Sequence, residues 1–274
     1  MKEKSIVTKI LIAGIFVVFL LLFLIVFSLI KMIAPKKEKV IEKSIISQTY
    51  SLVDIENISF DFKKSASTFL VGEWEELVIV QNSMEEKFYL NSKQKKNTIS
   101  FEEDNYLINP QKKEYIVYLP KNYLNKLTIK NGFGEISIEG IINDIEMNNN
   151  SGKISLNTVG NINIQDVSGD ISLKNVQGII NVSTSTGDIV AESVLGIINA
   201  ETITGDILIS DFHILGETSF ENVSGDIVLQ INPESLCKIN YSNDSGKTII
   251  DDNICNSEFN MITIKNITGM IKIN

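Results

Sequence analysis

The chain has 274 residues and a formal net charge of −9, with 34 Asp and Glu against 25 Lys and no Arg. Residues 131–274 are strongly acidic, with 6 Lys against 19 acidic residues. This half repels phosphate backbones, and without Arg the chain lacks the side chain that holds phosphate through two parallel hydrogen bonds, so nucleic acid is excluded as a partner.

The amino-terminal segment predicts a membrane anchor. Residues 10–30 contain no charge and no Pro, and they consist mainly of Leu, Ile, Val and Phe. As a helix they would be about 31 Å long, enough to cross the hydrocarbon core of a bilayer. Pro35 disfavours signal-peptide cleavage after Ala34. We therefore predict a short cytoplasmic tail over residues 1–9, an uncleaved transmembrane helix in membrane lipid over 10–33, and a polar stalk over 34–49.

The lysines that flank this helix do not settle its orientation. Three precede it and five follow it: Lys2, Lys4, Lys9, Lys31, Lys36, Lys37, Lys39 and Lys43. Because cytoplasmic flanks usually carry the excess of positive charge, the lysine count alone leans slightly toward a cytoplasmic carboxyl-terminal domain.

Residues 50–130 predict short β-strands without a regular repeat. Leu77–Val80, Thr98–Phe101 and Tyr115–Leu119 are rich in β-branched and aromatic residues, and Lys- and Glu-rich turns separate them. A stack of repeats needs a cap at its end, so we expect irregular first coils and the amino-terminal cap here. Trp74, the only Trp of the chain, is expected to belong to this cap rather than to a ligand platform.

From about residue 132 the sequence repeats. A Gly followed by Asp or Lys and then Ile recurs at Gly152, Gly169, Gly187, Gly205 and Gly225. A second series lies about halfway between these glycines, at Gly160, Gly178, Gly196 and Gly216. A nearly fixed period predicts a repeat architecture. We predict an all-β fold, a single-stranded parallel β-solenoid with two strands per coil of about 18 residues, regular over residues 131–274.

The repeat also predicts which side chains point inward. In Val167-Ser-Gly-Asp-Ile171-Ser-Leu173, aliphatic residues occupy positions one, five and seven of a nine-residue unit. Positions five and seven have the period of two that is typical of a strand with one buried face. We expect all three positions to face the core, and the Gly at position three to form a corner.

Outward residues of stacked coils should form columns with a spacing of about 4.8 Å. One predicted column is an amide ladder of Asn143, Asn163, Asn181 and Asn199, whose side chains can bond one another.

A second outward column is serine in its first three coils and then becomes apolar at Val190, Leu208 and Val228. We call these three residues the apolar stripe. Two explanations stay open: β-branched residues that simply suit strands, and a surface that faces a partner.

The column of Asp170, Asp188, Asp206 and Asp226 raises the question of calcium. Calcium-binding nonapeptide rolls need the pattern Gly-Gly-x-Gly-x-Asp, whereas each unit here has a single Gly. We therefore predict no metal site and expect each Asp to bond backbone near its own turn, with weak cation binding as the alternative.

No catalytic arrangement is recognisable in the sequence. The single histidine, His213, cannot form a histidine metal cluster, and no Gly-x-Ser-x-Gly nucleophile elbow accompanies it. Glycosidase-type carboxylate pairs usually lie in clefts built by long loops, and these turns are short. We predict a protein that is not an enzyme and that has no cofactor.

Cys237 and Cys255 are one coil length apart in the sequence. They can therefore stack on adjacent coils and form a disulfide in an oxidising compartment. Two buried free thiols are the alternative.

The run Tyr115-Ile-Val-Tyr-Leu-Pro120, then Leu127-Thr-Ile129 and Gly134-Glu-Ile-Ser-Ile138, resembles the DUF4097 family, described as an adhesin domain and also called the toastrack domain. Ile231-Asn-Pro233 leading to Ser245-Gly246-Lys247 is similar to its closing section, so the resemblance covers about residues 50–274. It implies a β-solenoid on the bacterial envelope, often in proteins linked to envelope-stress signalling through phage-shock-type or Lia-type membrane partners. The family has no catalytic residues to carry over.

The single predicted helix would cross the cell membrane once, and the resemblance implies that the carboxyl-terminal domain is extracellular. Our leading hypothesis is a sensing or scaffold element of envelope stress that acts through a membrane-protein partner, because a nine-residue tail is too short to signal alone. The alternative is an adhesin-like module that binds a surface glycan or protein directly, and the third hypothesis is a structural spacer. The sequence also allows a second copy of the chain as the partner. The sequence does not identify a ligand.

Overall fold

The computed structural model describes residues 44–83, 87–104, 113–121, 123, 125–157, 160–251, 254, 257 and 259–274. These residues contain 21 β-strands and no helix, which confirms the all-β prediction. None of the described segments is therefore a helix that could span a membrane. The predicted tail, the predicted transmembrane helix and residues 34–43 of the predicted stalk lie outside the described residues, whereas residues 44–49 belong to strand β1.

The amino-terminal strands are short. They are β1 (Ser44–Tyr50), β2 (Asn57–Phe62), β3 (Ala66–Gly72), β4 (Leu77–Ser83), β5 (Leu90–Lys95), β6 (Thr98–Glu103), β7 (Glu114–Pro120), β8 (Lys126–Phe133) and β9 (Ile136–Glu139). The three strands predicted between residues 50 and 130 are therefore confirmed as parts of β4, β6 and β7.

The repeat region has two strands per coil, which are merged in the two longest strands. The strands are β10 (Asp144–Ser151), β11 (Ile154–Asn157), β12 (Asn161–Ser168), β13 (Ile171–Thr186), β14 (Ile189–Thr204), β15 (Ile207–Ile214), β16 (Thr218–Ser224), β17 (Ile227–Ile231), β18 (Lys238–Ser245), β19 (Thr248–Ile250), β20 (Met261–Thr268) and β21 (Ile271–Ile273).

Successive coils pair in parallel, as in a β-solenoid. Ile171 lies beside Ile189, and Ile189 beside Ile207, so the register advances by one predicted coil length at each of these steps. One row of paired strands, the first sheet, runs β5-β6-β2-β8-β10-β12, then the carboxyl-terminal halves of β13 and β14, then β16-β20-β18. The other row, the second sheet, runs β1-β4-β7-β3-β9-β11, then the amino-terminal halves of β13 and β14, then β15-β17-β21-β19.

The coils are not stacked in chain order at either end. Strand β2 lies between β6 and β8, and β20 lies between β16 and β18. The last coil in the sequence, formed by β20 and β21, therefore lies between the coil of β16 and β17 and the coil of β18 and β19. This insertion explains why the glycine spacing becomes irregular after Gly225: a Cβ on Gly269 would meet the carbonyl of Gly225, and one on Gly246 would meet that of Gly269.

The parallel prediction does not hold for the amino-terminal cap. Strands β1, β4 and β7 pair antiparallel, and so do β5 and β6. Only Lys96 and Asn97 separate β5 from β6, and a two-residue connection can join only antiparallel neighbours. Lys96 accordingly has a φ of 54°, as a tight hairpin turn requires.

The core confirms positions five and seven of the repeat, whereas position one is buried at Val176 and Val194 but exposed in the alternate units. Ile171, Leu173 and Ile189 are buried, but Val167 and Ile203 are 53% and 49% exposed. The reason is the alternation of the strand. In those exposed units a polar residue three positions before the corner glycine points inward, so the next residue, which is position one, points outward.

These inward polar residues form a buried polar ladder along the first sheet. Its members are Asn131, Asn149, Asp166, Thr184, Thr202, Asn222 and Asn266. The Nδ2 of Asn149 donates to Asp166 Oδ1 (2.6 Å), and the Thr184 hydroxyl donates to Asp166 Oδ2 (2.9 Å). Burial raises the pKa of the Asp166 carboxyl, and the bonds from Thr184 and Asn149 oppose that rise. None of the patterns singled out in the sequence predicted this ladder.

Candidate binding surface

The outer face of the first sheet carries rows of carboxamides. Glu146, Asn163, Asn181 and Asn199 occupy one column, because the pairings place Asn163 beside Glu146 and Asn181 beside Asn163. The predicted ladder is therefore correct for three residues and wrong for Asn143. The prediction placed Asn143 twenty positions before Asn163, whereas the offset of β12 from β10 is 17 positions, so Glu146 takes the place expected for Asn143.

A groove of about 390 Å³ lies on this face. We call it the amide groove; it is lined by Lys126, Asp144, Ile145, Glu146, Asn161, Ile162, Asn163, Ile179 and Asn181. Its volume is within the range of small-molecule sites in proteins. Ile145 and Ile162 are core residues of the strands beneath the groove, so the backbone of a packed sheet positions its walls.

Internal bonds fix one side of the amide groove. The Nδ2 of Asn161 donates to Asp144 Oδ1 (3.0 Å). The Oδ1 of the same Asn161 accepts a hydrogen bond from the backbone N–H of Ile179 (3.0 Å). Lys126 forms an ion pair with Glu146 and so neutralises that carboxylate. The charges of this wall are therefore largely satisfied within the protein.

The other side of the groove offers free hydrogen-bonding groups. Asn199 donates to Asn181 Oδ1 (2.9 Å), which leaves the two N–H bonds of the Asn181 amide without a partner in the described part of the chain. Asn163 has no hydrogen-bond partner there either, and both side chains are exposed. Each amide can donate and accept, and Ile179, which is 48% exposed, adds an apolar contact beside them. This arrangement suits the binding of hydroxyl or amide groups.

The second sheet brings the apolar stripe together. Val190 lies beside Leu208, and Leu208 beside Val228. Val190 is 38% exposed and the other two are half-buried. The column continues from Val228 to Lys272, so the stripe ends at a charged residue. That the stripe faces a partner stays a prediction.

The acidic column consists of hydrogen-bonded carboxylates. The N–H of Asp188 donates to Asp170 Oδ1 (3.1 Å), that of Asp206 to Asp188 Oδ1 (2.8 Å), and that of Asp226 to Asp206 Oδ1 (2.8 Å). Each of these carboxylates therefore accepts a hydrogen bond from a backbone N–H of the following coil. The prediction was a hydrogen bond to the backbone near the residue's own turn. Among the described residues, no group of three or more His, Cys, Asp and Glu side chains is arranged to hold a metal ion.

Of the two cysteines, Cys237 is among the described residues and Cys255 is not. Cys237 is fully buried in the core of the last coils. Cys255 lies outside the described residues, so the predicted Cys237–Cys255 disulfide stays a prediction. The His213 side chain is partly exposed, and its Nε2 lies 3.8 Å from Asp211 Oδ1.

The family and fold comparisons agree with one another. The sequence model of the toastrack family DUF4097 matches residues 55–272. No curated protein sequence matches the chain. The fold is similar to crystal structures of two putative adhesins. The one from Bacteroides fragilis has a TM-score of 0.55 and 16% identity, over 84% of this chain and 97% of the other. The one from Parabacteroides distasonis has a TM-score of 0.53 and 9% identity, over 85% and 98%. At these identities the likeness concerns the fold alone.

Proposed function

Because this chain belongs to the toastrack family DUF4097, we propose that it is a non-enzymatic, membrane-anchored binding module of the adhesin type. In this proposal residues 10–33 hold the protein in the membrane, the β-solenoid lies outside the cell, and the amide groove binds an extended surface polymer, either a glycan or a protein. The description of two structural neighbours as adhesins is compatible with this role.

The single observation that carries the proposal is a groove of about 390 Å³ in which, among the described residues, the amide N–H groups of Asn163 and Asn181 have no hydrogen-bond partner. Neighbouring members of a column are about 4.8 Å apart, so the column presents donors and acceptors at a regular spacing along the stack. A regular spacing suits a polymer with a short repeat better than a compact metabolite.

The test is binding of the full-length protein to isolated cell-wall material. The double variant Asn163→Ala/Asn181→Ala removes the free amides, and we expect it to lose about ten-fold or more in affinity, since each lost hydrogen bond is worth about 1 kcal/mol. Asn240→Ala/Thr263→Ala is the matched control, because these residues lie farther along the same column, beyond the groove. Equal binding by both double variants would contradict the proposed site.

The location is tested separately on intact cells. We expect an impermeant amine label or a protease to reach the carboxyl-terminal domain without lysis. Protection in intact cells with labelling after lysis would place the solenoid in the cytoplasm, as the lysine count suggested, and would overturn an adhesin role.

The sensing hypothesis that the family resemblance suggested stays a prediction. Neither the described residues nor the comparisons provide an observation that supports envelope-stress signalling. Co-purification of the full-length protein with a specific membrane protein would favour it over direct adhesion.

A further inference from the structure

A second surface, far along the chain from the amide groove, is built around the only tryptophan. Trp74 lies in the four-residue loop between β3 and β4 and is 44% exposed. Its ring packs against that of Tyr118 on β7, with 4.8 Å between the ring centroids and 66° between the ring planes. Two rings at this angle form a corner, in which Trp74 is exposed and Tyr118 is half-buried. We call the pair the aromatic corner.

The aromatic corner is held in place before any ligand arrives. Gly72 lets the indole lie close to the backbone, since a Cβ there would be 3.0 Å from Trp74 Nε1. The Gly72 carbonyl accepts the N–H of Trp74 (2.8 Å) and that of Lys121 (2.7 Å), so the loop and the end of β7 are tied to one atom. Leu70 and Val78 lie on either side of Tyr118 in the sheet. A ring surface fixed in this way loses little conformational freedom on binding.

The loop that carries Trp74 is acidic. Three of the four loop residues are exposed glutamates, namely Glu73, Glu75 and Glu76. Lys121 pairs with Glu73, whereas Glu75 and Glu76 have no ion pair among the described residues. The loop therefore carries two carboxylates without an ion pair among the described residues, next in sequence to an exposed indole ring.

Charge and rings attract the same class of ligand. The face of an aromatic ring attracts cations, and Trp does so most strongly. The carboxylates of the loop also attract a cation. The ring faces and the carboxylates both repel an anion. A neutral sugar would gain from ring contact alone. We infer that the aromatic corner of Trp74 and Tyr118, with Glu75 and Glu76, is a binding site for an organic ammonium group. This site is separate from the amide groove and does not depend on the proposed function.

The test uses the intrinsic fluorescence of Trp74, which is unambiguous because the chain has no other Trp. Full-length protein in an uncharged maltoside detergent is titrated with choline and, in parallel, with 3,3-dimethyl-1-butanol, its neutral isostere. We expect choline to give a saturable change, with a dissociation constant on the order of 1–10 mM for such an exposed site. We expect the isostere and a sodium chloride series to give none. Equal responses to choline and to the isostere would refute an ammonium site.

Variants locate the site and separate it from the amide groove. Glu75→Gln/Glu76→Gln should weaken choline binding about three- to ten-fold, whereas Glu217→Gln/Glu234→Gln, which removes two carboxylates elsewhere, should not change it. Unaltered binding by the first pair would overturn the role of the carboxylates. Asn163→Ala/Asn181→Ala should leave the titration unchanged, so a failure of the polymer proposal and a failure of this one are seen in different experiments. n-Butylammonium in place of choline shows whether a primary amine or a methylated headgroup binds more tightly.

Discussion

Ile189→Asp puts a carboxylate into the middle of the solenoid core. Ile189 is 1% exposed and is paired with Ile171 on one side and Ile207 on the other. Neither neighbour offers a hydrogen bond to an inward carboxylate. We therefore expect the variant to unfold the central coils under conditions in which the wild type is folded.

The magnitude follows from two losses. Removing a buried Ile side chain costs about 2–5 kcal/mol, and burying a carboxylate without a partner adds several kcal/mol more. The sum is comparable to the roughly 5–15 kcal/mol that holds a whole domain folded. Because each coil is stabilised mainly by its neighbours, the damage should spread to the coils on both sides.

The assay is thermal and urea unfolding of the full-length protein, followed by far-ultraviolet circular dichroism. Val190→Asp is the matched control, because it introduces the same side chain one residue along the same strand, on the outer face beside Ser172. We expect the control to change the melting temperature by only a few degrees at most. Equal melting temperatures for the two variants, or a larger loss for Val190→Asp, would refute the inward assignment of Ile189.

Three further predictions concern the ladder, the corners and the cysteines. Asp166→Asn should raise the melting temperature at pH 7. Because the folded pKa of Asp166 is raised, the wild type regains stability as the pH falls through that pKa, and the gain should vanish below about pH 4; an equal gain at every pH would contradict this reasoning. Gly205→Ala should cost roughly 3 kcal/mol in urea unfolding, since φ is +142° and the new Cβ would lie 2.1 Å from a backbone carbonyl oxygen. Gly216→Ala, where the Cβ would meet only the end of a side chain, should cost less. For Cys237 and Cys255, a maleimide should label the denatured protein only after reduction, and labelling without reductant would argue against the disulfide.

Local periodicity made most of the regular region predictable. The glycine spacing and the period of two identified the coil length and the inward positions of residues such as Ile171 and Leu173. Val167 and Ile203 at position one were misread, although Val176 and Val194 are buried as predicted, because hydrophobicity alone does not distinguish a core residue from an exposed residue at a corner. The members of the buried polar ladder lie three positions before the glycines of one series only. Asn175 and Ser193 lie three positions before Gly178 and Gly196 but are not buried, so this spacing alone does not identify the ladder.

The amide groove was predictable only in part. Asn163 and Asn181 follow from the repeat, but Glu146 enters the groove through a strand pairing whose offset departs from the regular coil length, and Lys126 belongs to the segment before the regular repeat. The aromatic corner was not predictable. Trp74 and Tyr118 are far apart in sequence, and the antiparallel pairing of β4 with β7 brings the two segments together.

The amino-acid sequence alone therefore establishes what repeats: an all-β chain, coils of about 18 residues, the apolar residues at positions five and seven, and membership of a family with this pattern. The order of the coils at both ends, the antiparallel cap and the neighbours of each outward side chain become known only from the folded chain. The physical reason is that alternation and turn preference act over a few residues. In contrast, the partner of an edge strand is chosen by backbone hydrogen bonds between segments far apart in sequence, and several segments of similar pattern compete for the same edge.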